Sequence, residues 1–145
     1  METLKYIQKL SSIAREKSLL GCSEDATYYF IKAIARAEHS ADFLHIASEL
    51  YKSDMENNKT LAYNAFIKSI EVASEPFRLF KKILKRSDLS YMLGDFLVKR
   101  SDQLFHHLLL YTKDQNEIDE LTRLFEPVAV YIDNQNTSRF LKKAS

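Results

Sequence analysis

The chain has 145 residues, of which 46% are hydrophobic and 28% charged, a composition typical of one folded domain with a continuous core. It contains only 2 Gly and 2 Pro, which argues against a sandwich or barrel with many tight turns and favours an all-α fold. The 21 basic and 20 acidic side chains give a net charge of +1, without the positive excess typical of nucleic-acid-binding proteins. Nucleic acid is therefore not the partner we expect.

Apolar residues recur at intervals of three and four from the N-terminus, which is the period of an α-helix. The first stripe predicts a helix to about Leu20, and a second helix follows with Ser23 as its N-cap. Ser40 is the expected N-cap of a third helix. Residues 54–58 are polar and predict a loop before a fourth helix over 59–73.

Ser74-Glu75-Pro76 predicts the start of a fifth helix, because a proline at the first helical position has no amide hydrogen bond to lose. The other predicted starts are the caps Ser87-Asp88 and Ser101-Asp102, a helix after a loop at 113–116, Pro127 and Thr137. We therefore expect about eight to ten helices, joined by short loops that favour antiparallel neighbours.

The most informative feature of the sequence is an internal repeat. Phe30–Ala37 aligns with Phe66–Ala73 at an offset of 36 residues, with five of eight positions identical. Ala26 matches Ala62 at the same offset, and the pair Ile13-Ala14 corresponds to Ile46-Ala47 further upstream. A period in the mid-thirties is typical of stacked helical hairpins.

The repeated positions carry small residues that let helix backbones approach closely, and two aromatic rings that fill the gap to the next hairpin. The small residues are Ala14, Ala26, Ala33, Ala47, Ala62 and Ser69, and the aromatic residues are Phe30 and Phe66. This spacing resembles that of the tetratricopeptide repeat. The resemblance covers Leu10 to Ala73, lacks the Trp and Gly of that family's first helix, and has only Pro76 of its prolines.

The resemblance implies a single domain, 1–145, built as a short α–α superhelix. Its hairpins would cover 3–38, 40–74, 76–100 and 101–126, with a C-terminal cap over 127–145. In such proteins the first helices line a concave surface that binds a protein or peptide. The alternative is a compact bundle of amphipathic helices whose similarity to one another is accidental.

Four cationic residues, Arg78, Lys81, Lys82 and Lys85, are spaced to lie on one face of the fifth helix. If the third hairpin follows the tetratricopeptide plan, they line the groove together with His45 and Tyr51. The predicted function is then non-catalytic binding of a protein or peptide, with an acidic segment or a terminal carboxylate held by the cations. The alternatives are a solvated polar face and a contact between copies of the chain in a homo-oligomer.

An enzyme hypothesis rests on Arg100 and His106, whose spacing resembles the Arg-x(4–6)-His motif of small all-helical ribonucleases of the HEPN type. A histidine can move protons near neutral pH and an arginine can steady a phosphate. The motif is short, and it straddles the break predicted at Ser101. No His or Cys spacing predicts a metal site, and we expect no cofactor.

The single cysteine, Cys22, has no partner for an intramolecular disulfide, which indicates a reducing compartment. The N-terminal residues show no signal-peptide core. Apolar runs are short, such as Leu108–Tyr111, and far below the roughly 20 residues that a membrane span requires. We therefore expect a cytoplasmic protein with no membrane partner.

Overall fold

The computed structural model describes residues 2–53 and 56–127, and this part of the chain is helical with no β-strand. The helices are α1 (Glu2–Leu19), α2 (Ser23–Arg36), α3 (Ser40–Lys52), α4 (Glu56–Glu71), α5 (Pro76–Leu84), a 3₁₀ turn (Ser87–Leu89), α6 (Ser90–Lys99), α7 (Ser101–Tyr111) and α8, which covers 115–127. The predicted all-α fold is confirmed. The chain divides into two compact units, unit 1 (Met1–Leu79) and unit 2 (Phe80–Ser145), with the boundary inside α5. The single repeat domain over 1–145 stays a prediction.

Unit 1 contains two helical hairpins, α1–α2 and α3–α4. The helices of the first hairpin are antiparallel, since the Arg36 guanidinium at the end of α2 lies 5.8 Å from the centre of the Tyr6 ring near the start of α1. The core is built from the repeated positions, all of them completely buried: Ala14, Ala26, Phe30, Ala33, Ala47, Ala62, Phe66 and Ser69. These small and aromatic residues are buried as expected, whereas their role in bringing helix backbones close together stays a prediction.

The two hairpins of unit 1 stack with their first helices side by side and parallel. Arg15 Nη1 of α1 lies 3.4 Å from Glu49 Oε2 of α3, and Ser18 Oγ donates a hydrogen bond of 3.0 Å to the carbonyl oxygen of Ser53. These pairs are separated by 34 and 35 residues, close to the 36-residue offset of the sequence repeat. Equivalent positions of successive hairpins therefore lie next to each other.

The caps of α2 and α3 differ from those predicted. The N-cap of α2 is Cys22 rather than Ser23, after a turn in which Gly21 has φ +81°. The N-cap of α3 is His39 rather than Ser40. Here the buried carboxylate of Asp42 accepts hydrogen bonds of 3.0 Å from the backbone N–H groups of Glu38 and His39, which satisfies amides that would otherwise lack partners.

Two further helix starts also need correction. Residues 56–58 were predicted as loop but belong to α4, which begins at Glu56. Ser87 and Asp88 do not cap α6 directly, because they form the 3₁₀ turn and α6 begins at Ser90. The predicted start at Pro76 is confirmed, and Ser101 is the first residue of α7, with Arg100 as the N-cap.

Unit 2 has an aromatic core at which α5, α7 and α8 meet. The Phe80 and Phe125 rings stack with their centres 6.3 Å apart, and the Phe105 ring lies 5.1 Å from that of Phe125. The ion pair between Lys81 Nζ and Glu120 Oε1, at 3.2 Å, connects the outer sides of α5 and α8. The described part of α8 runs through Pro127. The rest of the predicted cap, 128–145, including Thr137, lies outside the described residues.

Candidate functional site

A cleft of about 520 Å³ opens on unit 1 between α1 and α3. Its lining residues are Gln8, Ser12, Arg15, Glu16 and Leu19 from α1 and His45 and Glu49 from α3, most of which carry polar side chains. Positions spaced by three and four residues share one side of a helix, so each helix contributes a single face. This is the side on which the parallel first helices of the two hairpins meet.

The charges of this cleft are partly neutralised within it. Arg15 and Glu49 form the ion pair between α1 and α3, in which the Glu49 side chain is only 15% exposed. His45 lies one turn before Glu49 and is half-buried. Burial lowers the pKa of His45 below its usual range, the charge of Lys52 lowers it further, and Glu49 opposes the shift. His45 is therefore mostly neutral at pH 7 and presents one ring N–H donor and one acceptor.

Tyr51, the other groove residue predicted from unit 1, lies on the α4 side of α3. The Lys59 ammonium of α4 lies 5.9 Å from the centre of its ring, within the range of a cation–π contact. Tyr51 does not line the cleft that contains His45. The reason is helical geometry, since six residues correspond to about 600° and place the two side chains roughly 120° apart.

The predicted cationic face of α5 divides into paired and unpaired residues. Arg78 in unit 1 forms an exposed ion pair with Glu75 at 3.1 Å, and Lys81 in unit 2 pairs with Glu120. Lys82 and Lys85 are exposed and form no ion pair with any residue of the described chain. The apolar side of α5 is buried through Phe77, Phe80 and Ile83, as the spacing predicted.

The two residues of the ribonuclease hypothesis lie at the start and in the middle of α7. Arg100 is the N-cap, and its Nη1 donates to Gln103 Oε1 at 3.3 Å. His106 is exposed, and its ring lies 6.5 Å from that of the neighbouring His107. As predicted, the pair straddles the start of the helix.

The polar residues of the α1 face, Gln8, Ser12, Arg15 and Glu16, were not predicted as site residues. The sequence repeat could have indicated these residues. It makes α1 the first helix of its hairpin, as α3 is of the next, and α3 carries the predicted site residue His45. The prediction concentrated on clusters of like charge, whereas the cleft carries both signs of charge.

Comparison with protein-family models, with curated proteins and with solved structures gives no match for this chain. Within residues 2–53 and 56–127, no helix is long and apolar enough to cross a membrane. The same residues contain no group of three or more His, Cys, Asp or Glu side chains arranged to hold a metal ion.

Proposed function

We propose that this protein is a non-catalytic binding module, similar in design to tetratricopeptide-repeat proteins, that holds an acidic segment of another protein. In this proposal the face shared by α1 and α3 contacts the backbone and polar side chains of the ligand. Unit 2 carries a separate cationic surface, in which Lys82 near the end of α5 and Lys85 in the turn after it attract acidic groups.

The observation that carries this proposal is the parallel stacking of α1 and α3. The Arg15–Glu49 and Ser18–Ser53 contacts join residues almost one repeat apart, so the first helices of both hairpins face the same side. A side built only from first helices is also where proteins of the resembled family bind their ligands. The 520 Å³ cleft on this side has the donors and acceptors that an extended peptide requires.

The preference for an acidic ligand rests on two cations without an ion pair in the described chain, Lys82 near the end of α5 and Lys85 in the turn after it. Lys82 and Lys85 are exposed and one turn apart, so both ammonium groups can contact neighbouring carboxylates. Such contacts raise the rate of association and the specificity more than they raise the affinity.

A selection from a phage-displayed library of random dodecapeptides on the immobilised protein tests the proposal. Enriched peptides, labelled with fluorescein, are titrated by fluorescence anisotropy against the wild type and the Lys82→Glu/Lys85→Glu variant. Each exposed ion pair between a lysine and the peptide contributes about 0.2–1 kcal/mol to the binding free energy, and each glutamate replaces it by a repulsion of similar size. We therefore expect the double variant to bind about tenfold more weakly. Arg78 is left unchanged, because a glutamate there would lie next to Glu75.

The matched control is the Lys32→Glu/Lys113→Glu variant, which removes the same charge at exposed positions on α2 and in the α7–α8 loop. It should bind within about twofold of the wild type, since exposed charges far from the ligand are screened. Equal losses in both variants, or enriched peptides without acidic residues, would contradict the acidic-ligand proposal.

A second pair of variants tests the cleft. Ser12 is exposed and lines the cleft, whereas Lys32 is exposed on α2, which does not line it. Ser12→Tyr should fill the cleft and abolish peptide binding there, while Lys32→Tyr should leave binding intact. The proposal also predicts that the wild type cleaves a fluorogenic RNA no faster than the His106→Ala variant. Cleavage lost on that substitution would favour the ribonuclease hypothesis instead.

A further inference from the structure

A second cavity lies within unit 2, between the start of α7 and the end of the described part of α8. Its volume is about 270 Å³. The lining residues are Ser101, Asp102, Phe105, Thr122, Phe125 and Glu126. This volume lies just below the roughly 300–1,000 Å³ of typical small-molecule sites, so the cavity suits one long side chain rather than a cofactor.

The floor of the cavity is formed by two aromatic side chains. The Phe105 and Phe125 rings have their centres 5.1 Å apart and are tilted by 41° to each other. Phe125 is also supported from behind by the stacked ring of Phe80, at 6.3 Å. Ring faces carry a negative electrostatic potential, so this floor accepts methylene groups and also favours a cation above it.

The rim of the cavity carries two carboxylates, Asp102 from α7 and Glu126 from α8. Both are exposed, and neither forms an ion pair with any other residue in the described part of the chain. The nearest arginine in sequence on α8, Arg123, does not line the cavity, and its Nε donates to the backbone carbonyl of Asp119 at 3.3 Å. The rim is therefore negatively charged.

We propose that this cavity binds a lysine side chain of a partner protein. A lysine has an apolar stem of four methylene groups and a cationic end, and it commonly buries the stem while its ammonium stays at a polar edge. The stem would pack on Phe105 and Phe125, and the ammonium would donate hydrogen bonds to Asp102 and Glu126. The site is independent of the acidic-ligand surface of the proposed function.

An NMR titration of the full chain tests this site, with Nα-acetyl-lysine methylamide as the probe and Nα-acetyl-norleucine methylamide as its uncharged analogue. The lysine probe should shift the amide signals of Asp102 and Thr122 and give NOEs from its methylene protons to the Phe105 and Phe125 rings. The norleucine probe should bind at least fivefold more weakly. Equal binding of both probes would overturn the proposal, because it would show a purely apolar pocket.

Substitutions of the cavity residues test whether the lysine probe binds in this cavity. Asp102→Asn and Glu126→Gln should each weaken binding by about two- to fivefold, as expected for exposed ion pairs. Thr122→Phe should abolish it by filling the cavity from an exposed position. Asp119→Asn, an exposed change on α8 away from the cavity, is the matched control and should have no effect. Binding that is lost equally in the control, or that survives Thr122→Phe, would contradict the assignment.

Discussion

Replacing Ala47 by leucine should destabilise the protein markedly, because this position allows close packing of helices in unit 1. Ala47 lies on α3 and is completely buried, at the position that repeats Ala14 of α1. Adding three carbon atoms at a closely packed site forces neighbouring side chains and backbone apart, which costs typically about 1–3 kcal/mol. We therefore expect the free energy of unfolding to fall by about 1–3 kcal/mol in Ala47→Leu.

The matched control is Ala41→Leu, since Ala41 lies on the same helix but is exposed. Alanine and leucine have similar helix propensities, so the difference between the two variants isolates packing. Ala41→Leu should change stability by no more than about 0.5 kcal/mol. Urea unfolding followed by circular dichroism at 222 nm measures both values through the midpoint and the slope. An Ala47→Leu midpoint equal to that of Ala41→Leu would refute the packing role.

The same unfolding assay checks three further predictions. Ser11→Ala should raise the free energy of unfolding by about 1 kcal/mol, because the Ser11 hydroxyl is completely buried and makes no hydrogen bond to any described residue; a loss of stability would indicate a partner for it. Gly21→Ala should lower the free energy of unfolding by about 1 kcal/mol, because φ is +81° at Gly21. Gly94→Ala should raise it by about 0.5–1 kcal/mol, because Gly94 lies inside α6 with open space around its Cβ position. Equal effects of the two substitutions would contradict this reasoning. His45→Gln should reduce the loss of stability on acidification. Burial lowers the pKa of His45 in the folded state below the unfolded value of about 6.5, so the unfolded state binds more protons. The free energy of unfolding of the wild type therefore falls as the pH drops from 6.5 towards the folded pKa. Identical wild-type and variant profiles between pH 7.5 and 5 would rule out this contribution of His45.

The helices of unit 1 could be predicted from the sequence because their buried faces follow a simple period. Phe30 and Phe66 lie at repeated positions, and both are completely buried, as the alignment indicated. Helix ends were harder, since neighbouring polar residues can each serve as the cap. Ser23 and Ser40 were plausible caps by residue type, yet each is the first residue of its helix.

Some core positions also escaped the pattern analysis. Tyr63 of α4 is completely buried although its side chain ends in a polar hydroxyl, whereas Leu124 of α8 is apolar and 37% exposed. Asp42 is buried as the acceptor at the start of α3. Periodicity identifies a helix face, but the width of the buried face depends on how many neighbours a helix has. That number is a property of the tertiary structure.

The candidate sites were predicted only in part, because sequence spacing reports which residues share a helix face and not which faces meet. The spacing predicted one cationic face on α5, but α5 ends at Leu84, so Lys85 lies in the turn after the helix. It did not reveal that Lys81 pairs with Glu120, 39 residues away. The cavity formed by Phe105 and Phe125 was not predicted for the same reason, since it requires α7 and α8 to pack together.

The parallel stacking of α1 and α3 is the premise of the proposed binding face, and a three-dimensional NOESY spectrum of the isotope-labelled protein measures it directly. We expect NOEs between Ser18 and Ser53 and between the side chains of Arg15 and Glu49. Each of them would connect the C-terminal end of α1 with the C-terminal end of α3. NOEs that instead connect Ser18 with the start of α3, near Ser40, would show antiparallel first helices. The two hairpins would then not form a shared binding face.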